Sequence, residues 1–500
     1  MSPMKESPVA AKHVVVVGAG PAGLTSAAEC QDLGCRVTVL EKDPEYVGGI
    51  ARTVHYKGYR FDIGGHRFFS KSAEITDWWR KRLPDDFIQV NRMSRIFYNG
   101  VFFDYPLKAF NALSGLGLLT STLCVLSYIK SKFFPIHPEK SFQDWVTNRF
   151  GSRLFLIFFK TYTEKVWGMP CHEISADWAA QRIKGLSLST AIWNAIKPQR
   201  GGGSSVVKTL IDKFEYPRLG PGMMWEKTRD DIRAAGGEVT LGIEVTAIER
   251  KGNRVTGVVT RRLTGEVSRI TGDDFIVSLP LRECVLAFDP PLSEAAQAAA
   301  KRLSYRDFLT VALMVKRLDL FPDNWIYVHD PSVKLGRVQN FNNWSPELVE
   351  NPGVTCLGLE YFCFEGDGLW TMSDADLIEL GKKEMSQLGL ARPEEIIDGC
   401  VVRMPKSYPV YGPGYQEDLD IIRREMSALE NLQPVGRNGL HKYNNQDHSM
   451  MTALLAARNI TDPRFDVWKV NTDAEYHEES EVRDTERTGR LTPQRIEPKP

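Results

Sequence analysis

The chain has 500 residues, of which 42% are hydrophobic and 25% charged, the proportions of an ordinary globular protein with room for two or three folding units. Lys+Arg and Asp+Glu both number 63, and the resulting zero net charge argues against broad electrostatic capture of nucleic acid while leaving room for a local basic pocket. The eight cysteines include no pair at metal-site spacing, so no metal centre is expected and all eight read as reduced core thiols of a cytoplasmic protein.

The N-terminal MSPMKESPVAAK carries no apolar signal core. Val14 to Val17 is a continuous apolar run, as in a strand buried on both faces. Ala22 to Leu33 reads as a helix ended by Gly34, and Arg36 to Leu40 as a second strand. Residues 76–204 read as mostly helical and rich in aromatics. Within them Ala109 to Ile129 carries no charge, but Asn111, Ser114, Thr120 and Ser127 make it polar for a bilayer span of ~20 residues. One or two helices are expected there; a helix resting on a membrane surface beside Lys130 and Lys132 is the alternative.

From Gly236 the alternation of apolar and polar residues around turns reads as strands, and Phe275 to Leu281 as a further buried strand. Residues 291–404 mix helices and strands, and the first fold resumes near Val435. The expected fold class is α/β: a discontinuous Rossmann-type FAD-binding domain from residues 1–75, 205–290 and 405–470, a mostly helical insertion over 76–204, and a mixed-sheet substrate domain over 291–404. Residues 471–500, charged and without apolar periodicity, read as a flexible tail.

The clearest motif is Gly18-x-Gly20-x-x-Gly23, between the first strand and the first helix. The first glycine permits the tight turn, the second lets backbone approach a pyrophosphate, and the third lets helix and strand pack closely. Glu41 ends the second strand 18 residues beyond Gly23, where its carboxylate can accept hydrogen bonds from a ribose. Phe61-Asp62-Ile63-Gly64-Gly65-His66 then places a histidine directly after a glycine pair, which admits a flat ring close to the backbone.

A second glycine pair, Gly48-Gly49, follows Glu41 with Arg52 just beyond, and resembles the two-glycine-motif flavoenzymes, which include amine oxidases and protoporphyrinogen oxidase. In that class the pair approaches the flavin chain and the arginine faces the phosphates. The strand around Val245 resembles the one that covers the adenine. Further segments resemble UDP-galactopyranose mutase, especially its eukaryotic form: the FDIGGHRFFSK loop, YTEKVWG over Tyr162 to Gly168, Asp104-Tyr105-Pro106, Trp325-Ile326-Tyr327, Arg337, Asn343-Trp344-Ser345-Pro346, Tyr408-Pro409, and Gly436-Arg437 followed by Tyr443 and Asn445-Gln446-Asp447-His448-Ser449.

That resemblance implies a nucleotide-sugar mutase that interconverts pyranose and furanose forms through an adduct between the sugar and N5 of reduced FAD, with NAD(P)H as the candidate reductant. By position it implies that His66 lies against the flavin, that Arg182 and Arg337 bind the diphosphate, and that Tyr327, Tyr408 and Tyr443 donate hydroxyls to phosphate. It places Tyr105 and Trp167 at the substrate, and Gly65, Arg437, Asn445, Gln446 and Asp447 at the flavin. Two departures bear on the substrate: Leu107-Lys108 stands where the family has Phe-Gln, and Arg67 follows His66 where the family has an apolar residue. The alternative is an FAD-dependent oxidase or desaturase, because one fold hosts several chemistries.

Overall fold

The computed structural model describes residues 11–105, 107, 109–176 and 213–471. Its first layer is a five-stranded, all-parallel sheet in the order Leu432–Pro434, Asp274–Val277, His13–Val17, Arg36–Leu40, Glu238–Thr240. The valine run explains why the first strand sits at the centre. Val14 and Val16 enter one core, with Leu24, Met224 and Leu454 of three covering helices, while Val15 and Val17 enter a second core on the opposite face. A strand whose alternate side chains both meet apolar layers has no polar face to place. The helix Pro21–Asp32 follows at once and packs beneath Gln446–Asn459, although these segments stand more than 400 residues apart.

The second layer is a seven-stranded mixed sheet in the order Ile396–Pro409, Tyr305–Val315, Thr355–Cys363, Arg337–Asn340, Trp325–Val328, Ser94–Tyr98, Val101–Asp104. Tyr305–Val315 is buried throughout and alternates as the first strand does. Leu309, Val311 and Leu313 pack under the helix Asp374–Gln387, while Phe308, Ala312 and Met314 face Phe61, Tyr216 and Trp344. The second of these faces carries the site described below.

Residues 76–176 are less helical than their sequence suggested. Phe87–Asn91, Ser94–Tyr98 and Val101–Asp104 are strands, and the last two extend the seven-stranded sheet. Asn99 and Gly100, with φ of 48° and 76°, form the two-residue turn between them. An Asn-Gly step flanked by alternating residues is the usual signal for such a hairpin. These strands follow the helix Ala73–Arg82, and helices resume at Ala109–Leu116 and Leu118–Phe133, so the uncharged stretch is two helices. Phe275–Leu281 is also corrected: its strand ends at Val277, and Pro280 caps a short helix that starts at Leu281. All eight cysteines are free.

Candidate active site

The glycine motif forms a narrow turn. Gly18 has φ of 96°, and a Cβ added at Gly23 would lie 1.8 Å from the Gly18 carbonyl oxygen. Gly20 caps the helix Pro21–Asp32, whose first turn thus points unpaired N–H groups at whatever lies above it. Glu41 braces the turn: Oε2 accepts the Ala19 N–H at 2.6 Å and Oε1 accepts the Asp43 N–H at 2.9 Å. Burial raises its carboxyl pKa, and these backbone bonds oppose that rise.

The second glycine pair folds onto the first, since Gly48 N–H donates to the Ala19 carbonyl at 2.8 Å and a Cβ on Gly49 would meet Gly20 Cα at 3.5 Å. The strand bearing Val245 adjoins this turn, because the Ile243 N–H donates to the Glu41 carbonyl at 2.8 Å. Arg52 is partly committed elsewhere: it pairs with Asp43 and lies 4.8 Å over the Tyr46 ring.

The other wall comes from the C-terminal segment. Asn445 caps the helix Gln446–Asn459, and Arg437 donates from Nε to the Asn444 carbonyl at 2.8 Å and from Nη1 to the Ser407 carbonyl at 3.0 Å. Asp447 is 1% exposed and accepts from Ser70 Oγ at 3.1 Å, so it braces the helix entrance from within. Several buried polar atoms here have no hydrogen-bond partner among the described residues: Arg52 Nε, His66 Nδ1 and Gln446 Oε1. A glycine turn open to close approach, an acid at a ribose position and unspent polar atoms fit a flavin adenine dinucleotide.

The reactive end is built by sheet register. Tyr327 is paired with Arg337, Arg337 with Glu360, and Glu360 with Thr310, so four strands set these residues in one row on one face. Arg337 Nε donates to Glu360 Oε2 at 2.5 Å, and Gln339 Nε2, two residues along the same strand, donates to Oε1 at 2.7 Å. Glu360 is fully buried; burial raises its pKa and Arg337 pulls it back.

The Gly64-Gly65-His66 loop lies over this row. A Cβ on Gly64 would sit 3.7 Å from Arg337 Nη2, and one on Gly65 would meet the Trp344 ring at 3.0 Å. His66 is neutral at ordinary pH. Burial, then the charges of Arg437 and Arg337, push its pKa down to about 3.

Tyrosines close the space around the row. The Tyr162 ring stands 5.4 Å from Tyr327, Tyr105 4.8 Å from Tyr327, and Tyr408 stacks on Tyr443 at 5.6 Å, with the Arg437 guanidinium 4.9 Å from the Tyr443 centroid. Burial raises the pKa of Tyr162 and Tyr408 and outweighs the Arg337 charge, which pulls both down, so both phenols keep their protons and can donate.

His66, Arg337, Arg437, Tyr105, Tyr327, Tyr408 and Tyr443 thus converge. Two sequence assignments fare differently. Trp167 is 5% exposed within the aromatic core of the helical layer, beside Phe142, Phe155 and Phe158, as a large apolar ring on a short helix's inner face would be. Arg337 is not a bare cation, because Glu360 neutralises it. Arg182 lies outside the described residues.

Sequence reading passed over Gln339 and Glu360 and gave Tyr162, the first residue of YTEKVWG, no role of its own. Glu360 had a signal: it is the one charged residue in the nine-residue buried run Thr355–Cys363, and such a carboxylate requires a partner. Arg67 and Arg92 both approach the Trp325 ring, at 5.3 and 5.5 Å, which adds cationic groups to the Tyr105 side.

A family model described as "Flavin containing amine oxidoreductase" matches residues 21–441. L-amino acid oxidase bordonein-L of Crotalus durissus terrificus is 25% identical over 334 residues, covering 61% of this chain and 58% of that protein. A 4,4'-diapophytoene desaturase (4,4'-diapolycopene-forming) of Methylomonas sp is 30% identical over 92 residues, 18% of each chain. The chain thus spans less than two thirds of the length of these relatives.

Among solved structures, reduced UDP-galactopyranose mutase superposes with a TM-score of 0.76 at 22% identity, covering 90% of this chain and 95% of that one. Putrescine oxidase bound to putrescine superposes with a TM-score of 0.57 at 15% identity, covering 90% and 99%. These likenesses establish an α/β flavoenzyme fold.

Proposed function

We propose, from the premise that this chain belongs to the flavin containing amine oxidoreductase family, that it is a nucleotide-sugar mutase interconverting pyranose and furanose forms. The observation that carries this reading is the meeting of Arg337, Arg437 and the hydroxyls of Tyr162, Tyr327, Tyr408 and Tyr443 around the His66 loop. Protonated phenols and guanidinium groups drawn from distant segments suit an anionic leaving group such as a diphosphate. The superposition on UDP-galactopyranose mutase, the higher of the two TM-scores given above, supports the same choice.

Gly18, Gly20, Gly23, Glu41, Gly48 and Gly49 would hold the dinucleotide, with Arg52, Val245, Asn445 and Gln446 along its length. Reduced FAD, when bound, supplies a nucleophilic nitrogen, and NAD(P)H is the reductant we assign to it. The protein's own part is to bind and orient. Glu360 and Gln339 fix the Arg337 fork toward the loop, and tyrosine hydroxyls donate to the departing phosphate. His66, held neutral, can accept or donate a hydrogen bond without adding charge beside the sugar. Arg182 is the second diphosphate cation in this proposal.

The oxidase or desaturase reading draws support from the sequence relatives. Against it stands the charge of the site. Among the described residues Arg437 meets backbone carbonyls and the rings of Tyr408 and Tyr443 and no carboxylate, so an ammonium substrate would approach an uncompensated cation. A hydrocarbon substrate would strand the tyrosine hydroxyls without partners.

The test incubates dithionite-reduced protein with UDP-, GDP- and dTDP-sugars and reads furanose formation by NMR. Product from a nucleotide sugar with the reduced protein alone is the expected result. No turnover with any of them, together with anaerobic bleaching of oxidised flavin by an amino acid or amine, overturns the proposal.

A further inference from the structure

The helix Leu118–Phe133 presents an apolar stripe to the outside. Leu118, Leu119 and Phe133 are 91%, 77% and 76% exposed, and Leu126 and Ile129 are exposed as well. At about 100° per residue, Leu118, Thr122, Leu126, Ile129 and Phe133 fall within an arc of about 80°. The one hydroxyl in that arc is spent internally, since Thr122 Oγ1 donates to the Leu118 carbonyl at 2.9 Å. Cys124 and Ser131, both buried, mark the opposite side, where the helix meets Phe142–Phe150. Phe134, Ile136 and Leu156 are also exposed and widen the patch.

The charges around the patch are of one sign. Lys130 and Lys132 project about 80° to either side of the centre of the arc, and Arg153 is exposed on the adjoining turn, its N–H bonded to Ser127 Oγ at 3.1 Å. Residues 105–138 contain no Asp or Glu, and Glu139, just beyond, is occupied by Arg149. Lys132 keeps its ammonium near the surface, against the Asn148 carbonyl at 3.3 Å and the Tyr128 ring at 5.2 Å.

We propose that this face is a monotopic docking surface for an anionic lipid membrane, with Leu118, Leu119, Leu126, Ile129, Phe133 and Phe134 entering the acyl boundary and Lys130, Lys132 and Arg153 meeting headgroup phosphates. An apolar arc flanked by cations is the arrangement by which a helix lies in a membrane interface. The 16-residue helix is too short to span, and no helix among the described residues is long and apolar enough to cross a bilayer. A second copy fits less well, since a two-fold pairing of this face would set lysine rim against lysine rim. The proposal is independent of the substrate reading.

Flotation of the flavin-loaded full chain with phosphatidylcholine vesicles, with and without phosphatidylglycerol, tests it. Binding is expected to the anionic vesicles, weakened by high salt. It should fall at least ~10-fold in Phe133→Ser/Phe134→Ser and in Lys130→Glu/Lys132→Glu. These side chains are exposed, and unchanged flavin absorbance will confirm that the variants fold. No flotation with anionic vesicles overturns the proposal. So does equal binding by the variants, or a dimer in light scattering that Phe133→Ser/Phe134→Ser dissolves.

Discussion

Arg337→Leu tests the energetic logic of the site's buried ion pair. The substitution leaves Glu360, which is 0% exposed, with Gln339 Nε2 at 2.7 Å as its hydrogen-bond donor. Breaking a buried pair in this way costs about 3–5 kcal/mol, and the 19% exposure of the Arg337 side chain argues for the lower end. The remaining carboxyl can escape by protonation. Burial already holds its pKa above the ordinary value, and loss of the Arg337 charge raises it further.

The folded variant then keeps a proton that the unfolded chain has lost. Its deficit relative to the parent is therefore full above the folded pKa and is recovered as pH falls toward the unfolded value of about 4.3. The deficit should therefore shrink steadily as the solution is acidified toward that unfolded value. Glu360→Leu should be equally damaging without that recovery, because a guanidinium does not give up its proton. The double variant should lie closer to the parent than either single one. Urea unfolding followed by tryptophan fluorescence, taken as differences from the parent at each pH, provides the measurement. Single variants within about 1 kcal/mol of the parent, as for a solvated pair, or identical pH profiles for the two, would refute the reasoning.

Gly23→Ala should abolish FAD retention, read as the flavin-to-protein absorbance ratio, because the added methyl lies 1.8 Å from a backbone oxygen. Glu41→Ala should weaken FAD binding by roughly 10–100-fold in a flavin titration, the worth of one hydrogen bond from a charged group. The stability of the parent should fall on acidification below about pH 6.5. Burial, the leading cause for each, lowers the pKa of His66 and His329 to about 3 and of His441 to about 4. The unfolded chain therefore takes up protons that the folded state refuses, and each histidine withdraws about 1.4 kcal/mol per unit down to its folded pKa. His329→Gln should make the urea midpoint less steep in pH between 6.5 and 4.5; an unchanged slope would count against this assignment.

The cofactor half of the molecule was legible because its signals are local. A valine run, a glycine turn, a helix and an acid follow one another within residues 14–41, and each has a conformational reason that neighbours alone supply. The reactive half was legible as names without geometry. Arg337 could be singled out, but Glu360 faces it only because Arg337–Asn340 and Thr355–Cys363 pair antiparallel in that register. Register between strands is fixed by the whole sheet and leaves no mark at either residue. Trp167, inside a suggestive motif, lies in a core that Tyr327 borders, where burial of so large a ring is the ordinary outcome. The hairpin at Ser94–Asp104 was readable and missed, since aromatic density in FYNGVFF masked the alternation around Asn99-Gly100.

The fold leaves two chemistries open, and the field inside the site discriminates between them. Arg337 and Glu360 cancel, so the pair offers directed N–H groups with little net charge. Arg437 spends its donors on carbonyls, which hold it in place and leave its charge intact. An anion and a cation placed about 6 Å from such a charge, at an effective dielectric constant of about 20, differ by on the order of 5 kcal/mol. His66 already registers this field: after burial, Arg437 and then Arg337 are the charges that hold its ring neutral. Cations that help keep a proton off an imidazole also disfavour an ammonium ion and favour a phosphate, and this is the physical ground on which we propose a phosphate-bearing substrate over an amine.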